Sequence, residues 1–253
     1  MNPATLDEIN GGVFMFDDNE ILKIENEGYE NGNNPMFGEY QKIFNFEPIP
    51  YGNRERHVFK EKVASELKVN YVYFREVRVN ITLYLNEQKR FETPELADLD
   101  NYAKLICDAI KGSKGILIDD AQIQPLNISW IETEKEAHFE LKVSGHPDDF
   151  VMKPLKLYEM SNKLFYPLSS EIWTTEDVKH NEKNTMLLTE LDKMIGRSKT
   201  YRHKLRQEGH DLNKAFYRSR SITPILMGFH KNRIIDSGFE VVELKHWKSS
   251  DLY

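Results

Sequence analysis

The chain has a single cysteine, Cys107. No disulfide can close within it and no zinc site built on paired cysteines can form, which fits a reducing cytoplasm. No window approaches the ~18 consecutive apolar residues of a membrane-spanning helix. The first residues lack the basic-then-apolar pattern of a secretory signal. A cytoplasmic protein with no membrane contact is therefore expected. Internal repeats and low-complexity tracts are also missing, and the histidines show no ligand spacing. The tryptophans Trp130, Trp173 and Trp247 read as core or interface residues. What remains is globular material, 253 residues with 40% hydrophobic and 30% charged side chains, enough for one large domain or two small ones.

The net charge of −7 argues mildly against a nucleic-acid partner, but the average hides an asymmetry. Residues 1–40 hold nine acidic side chains against one lysine, whereas residues 193–220 hold nine Lys or Arg against two acids. Local potential matters more than the total, so an acidic head and a basic tail segment are compatible with a polyanion.

Three regions follow from pattern. Residues 1–40 are acidic, Asn- and Gly-rich and weakly periodic, with a short hairpin expected from "GGVFMF" and "EILKIE". Residues 41–147 read as the first true domain. "YQKIFNFEPIP" alternates as a strand, and "RERHVFKEKVASELK" places Val58, Phe59, Val63 and Leu67 at helical spacing. "REVRVNITLYLN" puts Val77, Val79, Ile81, Leu83 and Leu85 on one strand face. A helix from Asp98, a Gly-containing turn, a short strand "GILID" and two more strands, "PLNISWIE" and "AHFELKVS", complete the order. Residues 148–253 begin with a linker-like "HPDDFVMKPLK" and continue as mixed helix and loop, ending in a strand-like "FEVVELKHW". The expected class is α+β: a mixed β-sheet with two helices, followed by a mostly helical C-terminal region.

The segment from Ala97 to Ile123 concentrates five aspartates, Asp98, Asp100, Asp108, Asp119 and Asp120. Asp98 and Asp100 stand at a helix entry, where unpaired N–H groups and the helix dipole favour carboxylates. Leu99, Ala103, Ile106 and Ile110 form the apolar stripe, while Asp100, Lys104 and Asp108 share another face. Asp119 and Asp120 follow the apolar run Ile116–Ile118, and in a strand at most one of them faces the Asp98/Asp100 group. A capping Asp, an Asp–Lys helix pair and an Asp-Asp turn account for each piece separately. Crowded carboxylates, however, repel unless a cation neutralises them, and Mg²⁺ takes such oxygen ligands. Lys104, one turn from Asp100, is placed to offset charge on a phosphate. Metal-dependent sugar transferases and aspartyl phosphatases also carry D-x-D pairs. The calcium loop is excluded, because Ala103 stands where its glycine is required.

Taken together, "DLDNYAKLICDAI", a short turn and "ILIDDAQI" closely resemble the RusA family of Holliday junction resolvases. The matching positions are Asp98, Asp100, Asn101, Lys104, Asp108, Asp119, Asp120 and Gln122. "FEPIPYGNRER" is similar to that family's early strand, proline-containing turn and basic loop. The resemblance implies a homodimeric, Mg²⁺-dependent endonuclease (Mn²⁺ as substitute) acting on branched DNA such as a four-way junction, of the phage or prophage type. It implies that Asp98, Asp100 and Asp120 hold the metal, with Asp119 in support and Lys104 assisting at the phosphate. Arg54, Arg56 and Lys60 are candidate phosphate contacts, beside the plainer reading of exposed basic residues.

In the C-terminal region, "MLLTELDKMIGRSKTYRHKLRQEG", residues 186–209, resembles a helix-turn-helix with its turn at Gly196. Its second helix would carry Lys199, Arg202 and Arg206 towards DNA. The competing reading is an amphipathic helical hairpin with a solvated basic face. An alternative function follows: a catalytically silent DNA-binding or regulatory protein that uses this basic region.

Overall fold

The computed structural model describes residues 38–92, 98–170, 178–220 and 227–248. The hairpin expected within residues 1–40 and Trp173 lie outside the described residues.

The first layer is a four-stranded sheet in the order β1-β5-β3-β4. Its strands are β1 (Glu39–Phe44), β3 (Val77–Leu85), β4 (Ile123–Glu132) and β5 (His138–Ser144). β5 pairs antiparallel with β1 and β3, and β3 pairs parallel with β4. The parallel pair requires a crossover, supplied by two helices, α2 (Glu87–Phe91) and α3 (Leu99–Ala109). With α1 (Arg56–Leu67), this is the expected α+β domain.

Strand β3 is buried at every second residue, and Val77, Val79, Ile81, Leu83 and Leu85 are all at most 2% exposed, as the alternation predicts. Each such burial is worth about 1.5–3 kcal/mol. On α1, Phe59, Val63 and Leu67 are buried, whereas Val58 is exposed. On α3, Ala103, Ile106 and Ile110 are buried, and so are Tyr102, Leu105 and Cys107. The buried face is wider than the predicted stripe because α3 packs on both the sheet and α1.

"GILID" does not become a sheet strand. Ile116, Leu117 and Ile118 are fully buried, but their backbone folds back on the end of α3. The Ile116 and Leu117 N–H groups both donate to Ile110 O, and Gly112 N–H donates to Leu117 O. Three residues are too few for a ladder when the chain must reverse this tightly. Gly115 makes the reversal possible, since a Cβ there would lie 2.2 Å from Ile110 O. The chain also forms a short strand with no sequence signal of its own, β2 (Tyr71–Tyr73), which accepts a single bridge from Leu117.

The "HPDDFVMKPLK" stretch is structured, not a linker. It supplies β6 (Phe150–Met152), paired with β2, and the start of β7 (Leu155–Glu159). β7 pairs antiparallel with β8 (Phe165–Ser169) and parallel with β9 (Glu240–Val242). The remainder is helical: α4 (Val178–Gln207), α5 (Leu212–Arg220), α6 (Lys231–Ile234) and α7 (Leu244–Trp247). Trp247 is buried there, and its indole N–H donates to Glu159 O.

The predicted turn at Gly196 is not formed, and α4 runs unbroken through it. A helical glycine costs only about 1 kcal/mol relative to alanine. Leu188, Ile195, Ser198 and Leu205, all buried, form one stripe that crosses the glycine. The chain turns instead at Gly209, φ +81°, and Asp211 opens α5 by accepting from Lys214 N–H at 2.7 Å.

Candidate active site

Helix α3 sets the geometry. Asp98 is its N-cap residue by backbone conformation (φ −62°, ψ 151°), but its side chain makes no capping bond. Asp98 and Asp100 are both exposed, and among the described residues neither has an ion-pair partner. Lys104 is exposed on the same side of the helix, and its ammonium lies 4.0 Å from the centre of the Tyr51 ring. The guanidinium of Arg56 lies 5.5 Å from that ring. Tyr51 N–H donates to Asn101 O at 3.1 Å, so the loop before α1 is tied to the first turn of α3. Arg54 and Arg56 are exposed at this loop and Lys60 is half-buried. The structure thus brings a basic edge beside the helix-start acids.

Asp119 and Asp120 occupy a different environment. They open a short 3₁₀ turn, Asp120–Gln122, and do not end a strand. The Asp119 side chain is 4% exposed, accepts from Ala121 N–H at 3.0 Å and pairs with Arg233 Nη1 at 2.9 Å. Asp120 pairs with Lys111 at 2.9 Å and with Arg233 Nη1 at 3.4 Å. Lys111 also holds Asp108 at 2.7 Å, so Asp108 belongs to an ion-pair network and is not a free surface acid. Burial would lower the Lys111 pKa, yet the bonds to Asp108 and Asp120 leave it raised. The Cys107 thiol is pushed up to about 12, first by burial and then by the charges of Asp120 and Asp108.

Gln122 fixes this turn. It is fully buried, and its Oε1 accepts from the N–H groups of Ile118 (2.7 Å) and Asp119 (3.0 Å). Its Nε2 donates to Tyr73 O (2.7 Å) and Arg75 O (2.9 Å). One side chain ties the acid-bearing turn to β2 and to the start of β3.

The two acid groups are separated along α3. Asp120 is tied to the Asp108–Lys111 end, and Asp108 lies about 12 Å along the helix axis from Asp100 at 1.5 Å per residue. Among the described residues no three His, Cys, Asp or Glu side chains stand together as a metal-binding group. The oxygen-only chemistry of Asp98, Asp100, Asp119 and Asp120 suits Mg²⁺, but as arranged these residues do not form one donor set.

Sequence reasoning missed Lys111 and Arg233. Lys111 had a signal, since it lies three residues after Asp108, just past the end of α3. Arg233 had none, because it joins Asp119 across 114 positions. Lys199 and Arg206 are exposed and Arg202 is half-buried, all on α4 and on no separate recognition helix.

The comparison with known families falls on the part of the chain that holds this helix and turn. Residues 33–144, somewhat under half of the chain, fit the model of an endodeoxyribonuclease family. That family is RusA, described as Endodeoxyribonuclease RusA, and the mixed-sheet region is similar to it. No curated protein matches the sequence. No helix among the described residues is long and apolar enough to cross a membrane.

Proposed function

We propose that this protein is a Mg²⁺-dependent endonuclease, also served by Mn²⁺, that cleaves branched DNA such as four-way junctions in recombination and repair. One observation carries the reading. Within the residues that match the RusA family, two exposed carboxylates without an internal counter-ion among the described residues open a helix, and Lys104 and Arg56 flank them at Tyr51.

Asp98 and Asp100 would hold the ion, and Asp120, with Asp119 in support, would join them only on release from Lys111 and Arg233. When bound, such an ion polarises a phosphoryl oxygen and stabilises the leaving oxygen. The rest falls to side chains of the chain itself. Lys104 offsets charge gathering on the scissile phosphate. Arg54, Arg56 and Lys60 hold the strand backbone, which makes affinity fall with salt. Two opposed strands of a junction call for two sites and hence a homodimer. The β4 edge, with exposed Leu126 and Ile131, pairs only with β3 among the described residues and supports that assembly. The cytoplasm is the compartment proposed.

The test is cleavage of a labelled four-way junction with and without Mg²⁺. Wild type is expected to cut, and Asp100→Asn to lose on the order of 10³-fold in rate, about 4 kcal/mol of barrier. Equal inertness of both proteins across divalent metals would sink the enzyme reading.

A second reading, a catalytically silent DNA-binding or regulatory protein, is favoured by one feature. Asp119 and Asp120 already carry Arg233 and Lys111 as counter-charges. Junction binding without cleavage under any divalent metal would select it.

A further inference from the structure

A cavity of about 510 Å³ opens where α4 and α5 meet the β7–β8 hairpin and the start of β3. No residue of α3 or of the acid-bearing turn lines it. Lys199, Arg202 and Arg206 border it along one edge of α4, at positions i, i+3 and i+7 that share a helix face. None of the three is ion-paired to a carboxylate among the described residues. The Nε atom of Arg202 is buried without a hydrogen-bond partner there.

Like charges at this spacing repel. Burial, and then the neighbouring Arg206, pull the Arg202 pKa below its usual value, with Tyr166 acting the other way. Arg75, at the cavity floor, is already held by Asp149 at 3.5 Å and lies 5.0 Å from the Phe216 ring. It is part of the wall. Glu76 is the one acid on the lining, and it is exposed at the rim. The apolar part of the lining comes from Leu164, Ile195, Phe216 and Met227, while Tyr166 beside Arg202 is itself buried.

The chemistry of the lining is of two kinds. Three cations on one edge, one with an unsatisfied buried donor, match a group with several anionic oxygens, and Arg forks take phosphoryl oxygens bidentately. An apolar lining with one partly exposed aromatic ring, Phe216, takes a flat, weakly polar ring. The volume lies within the roughly 300–1,000 Å³ of small-molecule sites. We propose that this cavity is a nucleotide site, in which Lys199, Arg202 and Arg206 hold the phosphate and the apolar lining at Phe216 holds the base. The ligand is a mononucleotide, either free or at the phosphorylated end of a nucleic-acid strand. This goes beyond the nuclease reading and stands without it, since binding requires neither cleavage nor the α3 acids.

The test is calorimetric titration of the full chain with adenosine 5′-monophosphate, adenosine, inorganic phosphate, and a short single strand with and without its 5′-phosphate. Saturable binding of the monophosphate is expected, with no measurable binding of adenosine. Arg202→Gln and Lys199→Gln should each weaken it by at least about tenfold, with circular dichroism unchanged. Should Arg202→Gln fail to fold, Arg206→Gln carries the same expectation. Competition by the 5′-phosphorylated strand, and not by its dephosphorylated form, assigns the ligand to strand ends, and lack of competition assigns it to free nucleotide. Asp100→Asn should bind the monophosphate as wild type does, which separates this result from any failure of cleavage. No binding of the monophosphate, or binding indifferent to all three basic substitutions, overturns the proposal. Inorganic phosphate binding as tightly as the monophosphate removes the base from it and overturns the nucleotide assignment.

Discussion

The acids at the start of α3 and those of the turn at Asp119 share residue type, sequence neighbourhood and sign, yet they are neutralised differently. Asp98 and Asp100 face solvent with no partner charge among the described residues. Asp119 and Asp120 are held by Lys111 and by Arg233, which comes from beyond the residues that match the RusA family. Carboxylates gathered in one place need a cation. This chain supplies one internally at the turn and leaves the helix start to an external source. A carboxylate cluster read from sequence therefore contains positions with unequal need for a metal.

The sharpest way to break the contrast is to release the turn. Gln122→Ala removes four hydrogen bonds from a fully buried side chain and strands donors and acceptors of Ile118, Asp119, Tyr73 and Arg75. At about 1–3 kcal/mol per unsatisfied buried group, partly relieved by relaxation, the loss should be on the order of 4 kcal/mol. Urea unfolding monitored by tryptophan fluorescence measures it. A loss under about 1 kcal/mol would mean that the turn is held by the ion pairs and not by the glutamine.

Much of this was legible in the sequence where the physical signal is local. The period-2 run of β3, the helical spacing of α1 and α3 and the D-x-D-N start each depend on neighbours within a few residues, and each was found. Ile116–Ile118 misled because an apolar triplet reads as strand, while the decisive constraint was the steric need for Gly115 against Ile110. Gly196 misled in the other direction: a weak local preference for a turn lost to a buried stripe extending on both sides of it. Lys111 lay within reach, whereas Arg233 depends on how the last third of the chain packs, which no periodicity reports. Gln122 appeared as part of a motif, but its four bonds to two distant segments became readable only in three dimensions.

Asp119→Ala against Asp98→Ala tests the same contrast one residue at a time. Asp119 is buried and accepts from a backbone N–H and a guanidinium, so its loss should cost about 2 kcal/mol. Asp98 makes no capping bond and is exposed, so its loss should stay within about 0.5 kcal/mol. Thermal unfolding at neutral pH compares the two, and equal destabilisation would abolish the distinction drawn between them.

A third kind of charge sharpens the comparison further. Lys153 donates to Gly115 O at 2.7 Å and Val69 O at 3.3 Å, and burial pulls its pKa down to about 8. Between that value and the ordinary 10.5 the unfolded chain binds more protons than the folded one, so this residue makes stability rise with pH from about 8 to 10.5. Cys107 acts oppositely above about 9, since its folded pKa is raised towards 12. The difference between wild type and Lys153→Met isolates the lysine. Wild type should gain on that variant by about 1–2 kcal/mol between pH 8 and pH 10, within the 1.4 kcal/mol per unit that a shift allows. A pH-independent difference would place the ammonium in contact with water.

A small expected change in stability carries the most direct consequence for the acids. Arg233 is 53% exposed, so Arg233→Ala should cost no more than about 1 kcal/mol, as for other solvent-screened pairs. It also removes the counter-charge shared by Asp119 and Asp120 and leaves only Lys111 at the turn. The turn should then resemble the start of α3, with carboxylates whose repulsion an external cation relieves. Anything that binds only the folded state raises its stability. Added Mg²⁺ should therefore raise the unfolding midpoint of Arg233→Ala more than that of wild type, and Asp120→Asn in the same background should remove the difference. If Mg²⁺ shifts the two midpoints equally, Arg233 does not compete with a cation at the turn, and the contrast between the two acid groups is one of burial alone.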